Sequence, residues 1–314
     1  MPCSESLIQY MNVTLRILAT TALCLAAVLC TACQRNESEN ALLAAASQGQ
    51  TQYIQSLLGQ GTNANAEGEG GLTPLHLASQ AGHTEAVRLL LEFGANPNAV
   101  ADSYGQTPLW LAAINNHANI IRLLMAAGAD ATQISGRAKI TPLMVAAERG
   151  YTDAVKALID GGADVNHMIR WERRADKCHM TALSMLCYRF GDYYTDEHLN
   201  TARVLLAAGA NPVLLPDSGA VKYQPICGAY RIAVANGKTE LLQTLLDAGG
   251  LMGIEKEVMR ECIENQVASL AAARQACGPE VPELPTEKAA RELLTRYIVS
   301  QDLQDQDFSE AGQE

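Results

Sequence analysis

The segment "LTPLHLASQAGHTEAVRLLLEFGANPN", Leu72 to Asn98, returns as "QTPLWLAAINNHANIIRLLMAAGADAT", Gln106 to Thr132, and again as "ITPLMVAAERGYTDAVKALIDGGADVN", Ile140 to Asn166. Thr73, Thr107 and Thr141 stand 34 residues apart. A unit this short cannot bury its apolar face alone, so a chain built from it must stack the units side by side. Each copy carries the same local instructions. The threonine hydroxyl can cap a helix, and Pro74, Pro108 and Pro142 fall at the first helical position, where a missing N–H costs nothing. Ala112, Ala113, Ala146 and Ala147 keep that first helix thin, so neighbouring units can approach. A second helix follows, with apolar residues at helical spacing: Val87, Leu90 and Leu91; Ile120, Leu123 and Leu124; Val155, Leu158 and Ile159. Gly94, Gly128 and Gly162 end it, where a left-handed residue is wanted. A polar finger then returns to the next Thr-Pro.

Weaker copies flank these three. "NALLAAASQGQTQYIQSLLGQGTNAN" (Asn40 to Asn65) keeps the alanines and Gly61 but lacks Thr-Pro, as expected of a terminal capping unit with one face in water. "TALSMLCYRF" (Thr181 to Phe190) resumes at "LNTARVLLAAGANP" (Leu199 to Pro212). The glycine step within a unit is 12, as from Gly82 to Gly94; counting back from Gly209 leaves seven extra residues between the two helices, near "GDYYTDE" (Gly191 to Glu197). "GAYRIAVANGKTELLQTLLDAGG" (Gly228 to Gly250) is a sixth copy, and Ile254 to Cys277 reads as a terminal helical cap. A last helix is expected near Thr286 to Val299, before a tail with five acids after Arg296.

"TPLHLAS" (Thr73 to Ser79) resembles the ankyrin repeat, whose mark is Thr-Pro-Leu-His followed by two alanines. The resemblance implies an all-α solenoid: an ankyrin repeat stack of about six helix pairs with hairpin fingers, two of them enlarged, and a C-terminal helical cap. The repeat domain with its cap would cover residues 41–277, and the C-terminal helix and acidic tail residues 278–314. His76 matches the family histidine that buttresses the turn. Ankyrin proteins generally bind protein partners with finger tips and the concave face of the inner helices.

The enlarged fingers locate the expected site. Thr141 to Thr181 is 40 residues, six above the period, and the surplus lies in His167 to Met180, which contains "RWERRADKCH". The next finger carries about six more in "VLLPDSGAVKYQPIC" (Val213 to Cys227). By the resemblance, a partner site centres on repeats four to six. Arg170, Trp171, Arg173 and Arg174 suit it, because aromatic and arginine side chains are enriched at interface hot spots. Tyr193 and Tyr194 in the extra loop, with Tyr104 and Trp110, complete the expected binding set. The basic segment would face an acidic protein surface. Equally open is an irregular insertion whose Trp171 folds back on the stack.

The chain holds 34 acidic and 23 basic residues, a net charge of -11, which argues against nucleic acid because phosphate binding needs a basic footprint. Its beginning reads as an address. "ILATTALCLAAVLCTAC" (Ile17 to Cys33) is uncharged and rich in small residues after Arg16, so residues 1–32 read as a secretory signal, starting at Met1 or Met11. "LCTAC" (Leu29 to Cys33) resembles a bacterial lipoprotein box, although Cys30 stands where leucine is usual. That resemblance implies cleavage before Cys33 and lipid on its thiol. With Gln34 next, it implies outer-membrane anchoring facing the periplasm of a Gram-negative bacterium. A transmembrane anchor is the alternative, though the run is short of the roughly 20 apolar residues a span needs. Residues 33–40, with the polar "QRNESEN", read as a tether. The exported body is expected to be a monomer.

Catalytic and metal chemistry find no footing. No glycine-rich phosphate loop, paired carboxylates or Ser/Cys-His-acid grouping stands out, and Ser47 and Ser79 sit at small-residue core positions. His167, Cys178, His179 and His198 match no regular zinc spacing, so neither metal nor cofactor is expected. His83 and His117 read as solvated turn residues. With Cys3, Cys24 and Cys30 removed and Cys33 lipidated, five cysteines remain. Cys178 and Cys227 hold similar places at the bases of neighbouring fingers and are expected to bridge. Cys262 and Cys277 would bridge only if the helix breaks between them, since fifteen helical residues span about 22 Å. Cys187 is expected as a buried thiol, and all five are reduced if the chain is not exported.

Three functions remain. One is a non-catalytic periplasmic scaffold for a partner protein. A second is an immunity protein, because the chain is similar to exported ankyrin-type lipoproteins that neutralise lipases delivered by type VI secretion. The third, an enzyme, would need a cluster in the terminal helices, and "RECIENQ" (Arg260 to Gln266) offers none.

Overall fold

The computed structural model describes residues 36–101, 104–173, 176–188, 195–211 and 239–247, with 292, 295 and 296, and every structural statement below concerns these. The expected signal, Cys33, the Cys227, Cys262 and Cys277 pairings and the terminal cap lie outside them. The chain divides into two compact units, Met1–Asp102 and Ser103–Glu314.

The first unit contains α1 (residues 36–48), α2 (Thr51–Gly59), a short 3-10 turn (Glu69–Gly71), α3 (Pro74–Ala81) and α4 (Thr84–Glu92). The described part of α1 begins at residue 36, so residues 36–40, within the stretch read as a tether, are helical. α2 and α3 both pack on α4 around Leu42, Ile54, Leu75, Val87 and Leu90, all fully buried. The Thr-Pro start of α3 works as expected. The Thr73 N–H donates to Nδ1 of the fully buried His76 at 3.1 Å, which fixes the ring as a buttress for the turn.

Two further contacts tie successive pairs together here. His83 is half-buried rather than solvated: its Nε2 lies 3.1 Å from the Ser47 carbonyl, and its ring covers Gly49, where a Cβ would sit 2.5 Å from Nδ1. Ser47 itself is exposed, not a core residue. Asn65 forms a clamp: its Nδ2 donates to the Gly94 carbonyl at 3.0 Å, and its Oδ1 accepts the Asn96 N–H at 2.7 Å.

The second unit contains α5 (Pro108–Ile114), α6 (Ala118–Ala126), α7 (Pro142–Glu148), α8 (Thr152–Asp160), strands β1 (Ile169–Arg173) and β2 (Asp176–Met180), α9 (Ala182–Tyr188), α10 (Asp196–Ala207) and α11 (Thr239–Asp247). The helices form two rows. α5, α7 and α9 pack in series, as do α6, α8, α10 and α11, and each pair packs across. The alanines do what their size predicts: Ala112, Ala113, Ala146 and Ala147 are fully buried between rows. Ile120, Leu124, Val155 and Leu158 supply the apolar filling. The approach is close enough that a Cβ on Gly161 would lie 2.8 Å from the Met125 Cβ. Helix starts repeat the threonine cap, with Thr107 Oγ1 accepting the Trp110 N–H at 3.2 Å and Thr141 Oγ1 the Met144 N–H at 3.3 Å. Asn166 repeats the clamp, donating to the Gly209 carbonyl at 2.9 Å and accepting the Asn211 N–H at 2.7 Å.

The end of the seven-residue insertion is helical. Asp196, Glu197 and His198 begin α10 one turn early, making it 12 residues where α6 and α8 have 9. Thr195 starts it as Thr73 starts α3: its N–H donates to Nδ1 of the buried His198 at 3.3 Å. The His198 ring covers Gly150, and Thr152 Oγ1 lies 2.8 Å from Thr201 Oγ1, so α10 is pinned to the preceding pair.

Candidate functional site

The enlarged finger is a β-hairpin. β1 and β2 pair antiparallel with Ile169 opposite Met180, Arg170 opposite His179, Trp171 opposite Cys178, Glu172 opposite Lys177 and Arg173 opposite Asp176. The order of charges is compatible with that register. It sets Glu172 against Lys177 and Arg173 against Asp176, whereas a slip of one residue either way would oppose Glu172 with Asp176 or Arg173 with Lys177. At the base, Ile169 and Met180 are buried and seat the hairpin on the repeats, while Arg170 is exposed. Five residues per strand give arms of about 17 Å.

The preceding finger, residues 133–140, is built differently. A bridge between Ser135 and Ile140 closes it, and Gly136 (φ 74°) and Lys139 (φ 50°) take left-handed conformations. The Gly136 N–H donates to the Tyr104 carbonyl at 2.9 Å, and the Arg137 guanidinium stands over the Tyr104 ring, 5.1 Å from its centroid. Beneath lies Trp110, whose Cζ2 would be 2.4 Å from a Cβ on Gly136. The two fingers together hold six bases (Arg137, Lys139, Arg170, Arg173, Arg174 and Lys177) and two acids (Glu172 and Asp176), against -11 for the whole chain. Asp130 stands at the finger's root. Thr132, through its hydroxyl and its N–H, holds that carboxyl below the usual carboxylate range; the His167 charge adds to the effect and partial burial opposes it. Among the described residues no group of three or more His, Cys, Asp or Glu is placed to hold a metal ion, and no helix is long and apolar enough to cross a membrane.

The family model for ankyrin repeats matches in three copies, over residues 3–99, 42–135 and 127–215. This chain belongs to the ankyrin repeat family. Among solved structures, the human ASB11 ankyrin repeat domain superposes with a TM-score of 0.55 at 22% identity, covering 79% of this chain and 95% of that domain. The mouse 2-5A-dependent ribonuclease is 44% identical over 63 residues, 20% of this chain; the chain spans 9% of that protein, so the likeness is one of repeats. The all-α ankyrin stack with hairpin fingers expected from the sequence is the fold found. An ankyrin stack is in general a surface for holding other proteins.

On this ankyrin framework the expected binding residues separate. Arg170 is exposed at the base of the hairpin, and Trp171 and Arg173 lie on β1. Cys178 lies on β2 and Cys187 on α9. Arg174, Tyr193 and Tyr194 fall outside the described residues. Tyr104 is 43% exposed, as a contact residue must be. Trp110 is not: it is 7% exposed, and its Nε1 meets no hydrogen-bond partner among the described residues. It occupies the fourth position of the Thr-Pro-Leu-His motif, where His76 is fully buried, so the same backbone aims it into the stack. Arg137, Lys139 and Ile134 were not expected and belong to the exposed set, with Ile134 at 47%. Their signal was available: two bases and no acid within "QISGRAKI" (Gln133 to Ile140).

Proposed function

We propose that this chain is a non-catalytic, envelope-tethered ankyrin-repeat protein that holds a partner protein against its basic fingers. The observation that carries this reading is the charge segregation: an acidic chain concentrates a net +4 in two neighbouring fingers, one of them a β-hairpin. Opposite charge in a partner would speed encounter and fix orientation. The tether rests on the uncharged run before Cys33 and the box "LCTAC", and it predicts lipid labelling that Cys33→Ala abolishes. Affinity capture from detergent-solubilised envelopes, with the native chain against the Trp171→Ala, Arg173→Ala variant, tests the surface. Capture of the same proteins in equal amounts would remove the hairpin from the interface.

The narrower reading makes the partner a toxic lipase. The hairpin arms of about 17 Å favour it, since a projecting double strand can enter an enzyme cleft. It requires that a captured partner hydrolyse phospholipid and that the native chain stop the hydrolysis.

A further inference from the structure

Resting on the protein-binding reading above, we propose that the smaller finger, residues 133–140 with Tyr104, docks an acidic segment of a partner protein that carries an apolar side chain between its carboxylates.

Three features of this finger point to that chemistry. The first is charge. Arg137 and Lys139 are exposed, and "QISGRAKI" carries no carboxylate to neutralise them. Arg170 is exposed at the base of the next finger in the same unit. The second is apolar surface beside the charge. Ile134 is 47% and Tyr104 43% exposed, the most exposed large apolar side chains of the second unit among the described residues. A partner offering carboxylates alone would leave both uncovered, and an apolar partner would desolvate both bases. The third is preorganisation. The Ser135–Ile140 bridge, the Gly136 bond to the Tyr104 carbonyl and the placement of the Arg137 guanidinium over the Tyr104 ring set the finger's shape before any partner arrives. The Arg137 guanidinium, 5.1 Å from the ring centroid, carries a planar fork of N–H donors that matches a carboxylate. Trp110 packs under Gly136, so the finger also sits on its own fluorescent reporter.

The probe is a labelled synthetic peptide, Glu-Leu-Glu-Glu-Leu-Glu, with Glu-Ser-Glu-Glu-Ser-Glu as the partner of equal charge. Both are titrated by fluorescence anisotropy into the full chain in detergent, with Trp110 emission followed in a Trp171→Phe background. The expected result is saturable binding of the leucine peptide with a change in Trp110 emission. Arg137→Ala with Lys139→Ala should weaken it about tenfold. Ile134→Ser should weaken it about threefold and remove the preference over the serine peptide. Arg137→Lys, which keeps charge but not the planar fork, should fall between, and far-UV circular dichroism checks that each variant is folded. Equal binding of the two peptides would reduce the finger to plain counterion attraction and overturn the proposal, as would an unchanged Kd in the double variant or no saturable binding. Tighter binding of a heparin oligosaccharide of equal charge would assign the surface to a polyanion instead. Failure of Trp171→Ala, Arg173→Ala to alter partner capture overturns the hairpin's role and leaves this result standing, so the two readings fail separately.

Discussion

Asn166 offers the sharpest test of how the repeats are held together. Its side chain makes two hydrogen bonds to the following unit, 2.9 Å to the Gly209 carbonyl and 2.7 Å from the Asn211 N–H. A neutral hydrogen bond contributes about 1 kcal/mol net, so Asn166→Ala has about 2 kcal/mol to lose at most. Asn166 is half-buried and Gly209 exposed, so water replaces part of this, and about 1–1.5 kcal/mol is expected. Asn166→Asp sharpens the test. One carboxylate oxygen can still accept from Asn211, but the other would face the Gly209 carbonyl where an N–H now donates. Near neutral pH the aspartate should therefore cost at least as much as alanine. Folding would raise its pKa, so the penalty is fully present above that raised value and fades as the pH falls through the ordinary carboxylate range, where a protonated oxygen can donate. In a stack the loss acts on one interface term, so the readout should be local. Amide exchange at Asn211 should quicken in both variants, and the urea transition should broaden or split as α9 and α10 part from α8. An Asn211 amide as protected in the alanine variant as in the native chain, or a neutral-pH aspartate as stable as asparagine, would refute the clamp.

Thr132 holds the position equivalent to Asn65 and Asn166 and makes no such clamp, its hydroxyl turning back to Asp130; Thr132→Asn should reach the Gly162 carbonyl and the Asp164 N–H and raise the urea midpoint by about 0.5–1 kcal/mol of stability. Thr132→Val should raise the Asp130 pKa toward its ordinary value, measurable by NMR titration. Because folding depresses that pKa, the stability Asp130 adds is present above its unfolded pKa and is lost as pH falls through the folded one, and the valine variant should lose part of that acid dependence. Gly136→Ala places a Cβ both in a left-handed conformation and 2.4 Å from the Trp110 ring, so a loss of about 2 kcal/mol and a red-shifted Trp110 emission are expected; an unshifted emission would mean the finger does not rest on that ring.

What the sequence made legible was whatever repeats, because repetition exposes the local rules: Thr73, Thr107 and Thr141 as helix starts, the paired alanines as thin contact faces, the glycines as helix ends. The clamps are legible too: "GTNAN" (Gly61 to Asn65) and "GADVN" (Gly162 to Asn166) each end on an asparagine whose own N–H closes an Asx turn, on Asn63 and Asp164. The start of α10 hid, for Thr195 to His198 has the Thr-x-x-His spacing of Thr73 to His76 without the proline that draws the eye. Trp110 shows the opposite error, residue type read ahead of position. A tryptophan has the composition of a hot spot, but its place in the motif is that of a buried histidine, and the helix geometry decides where it points. The fingers resisted for a physical reason. Their shapes depend on pairings between segments, Glu172 with Lys177 across a hairpin and Gly136 with Tyr104 across 32 residues, and a period of 34 carries no information about either. It follows that the part of this chain most free to differ from its relatives is the part that the repeat leaves unspecified. The unlike charges and unlike shapes of its two basic fingers are where a choice of partner can be written without disturbing the stack.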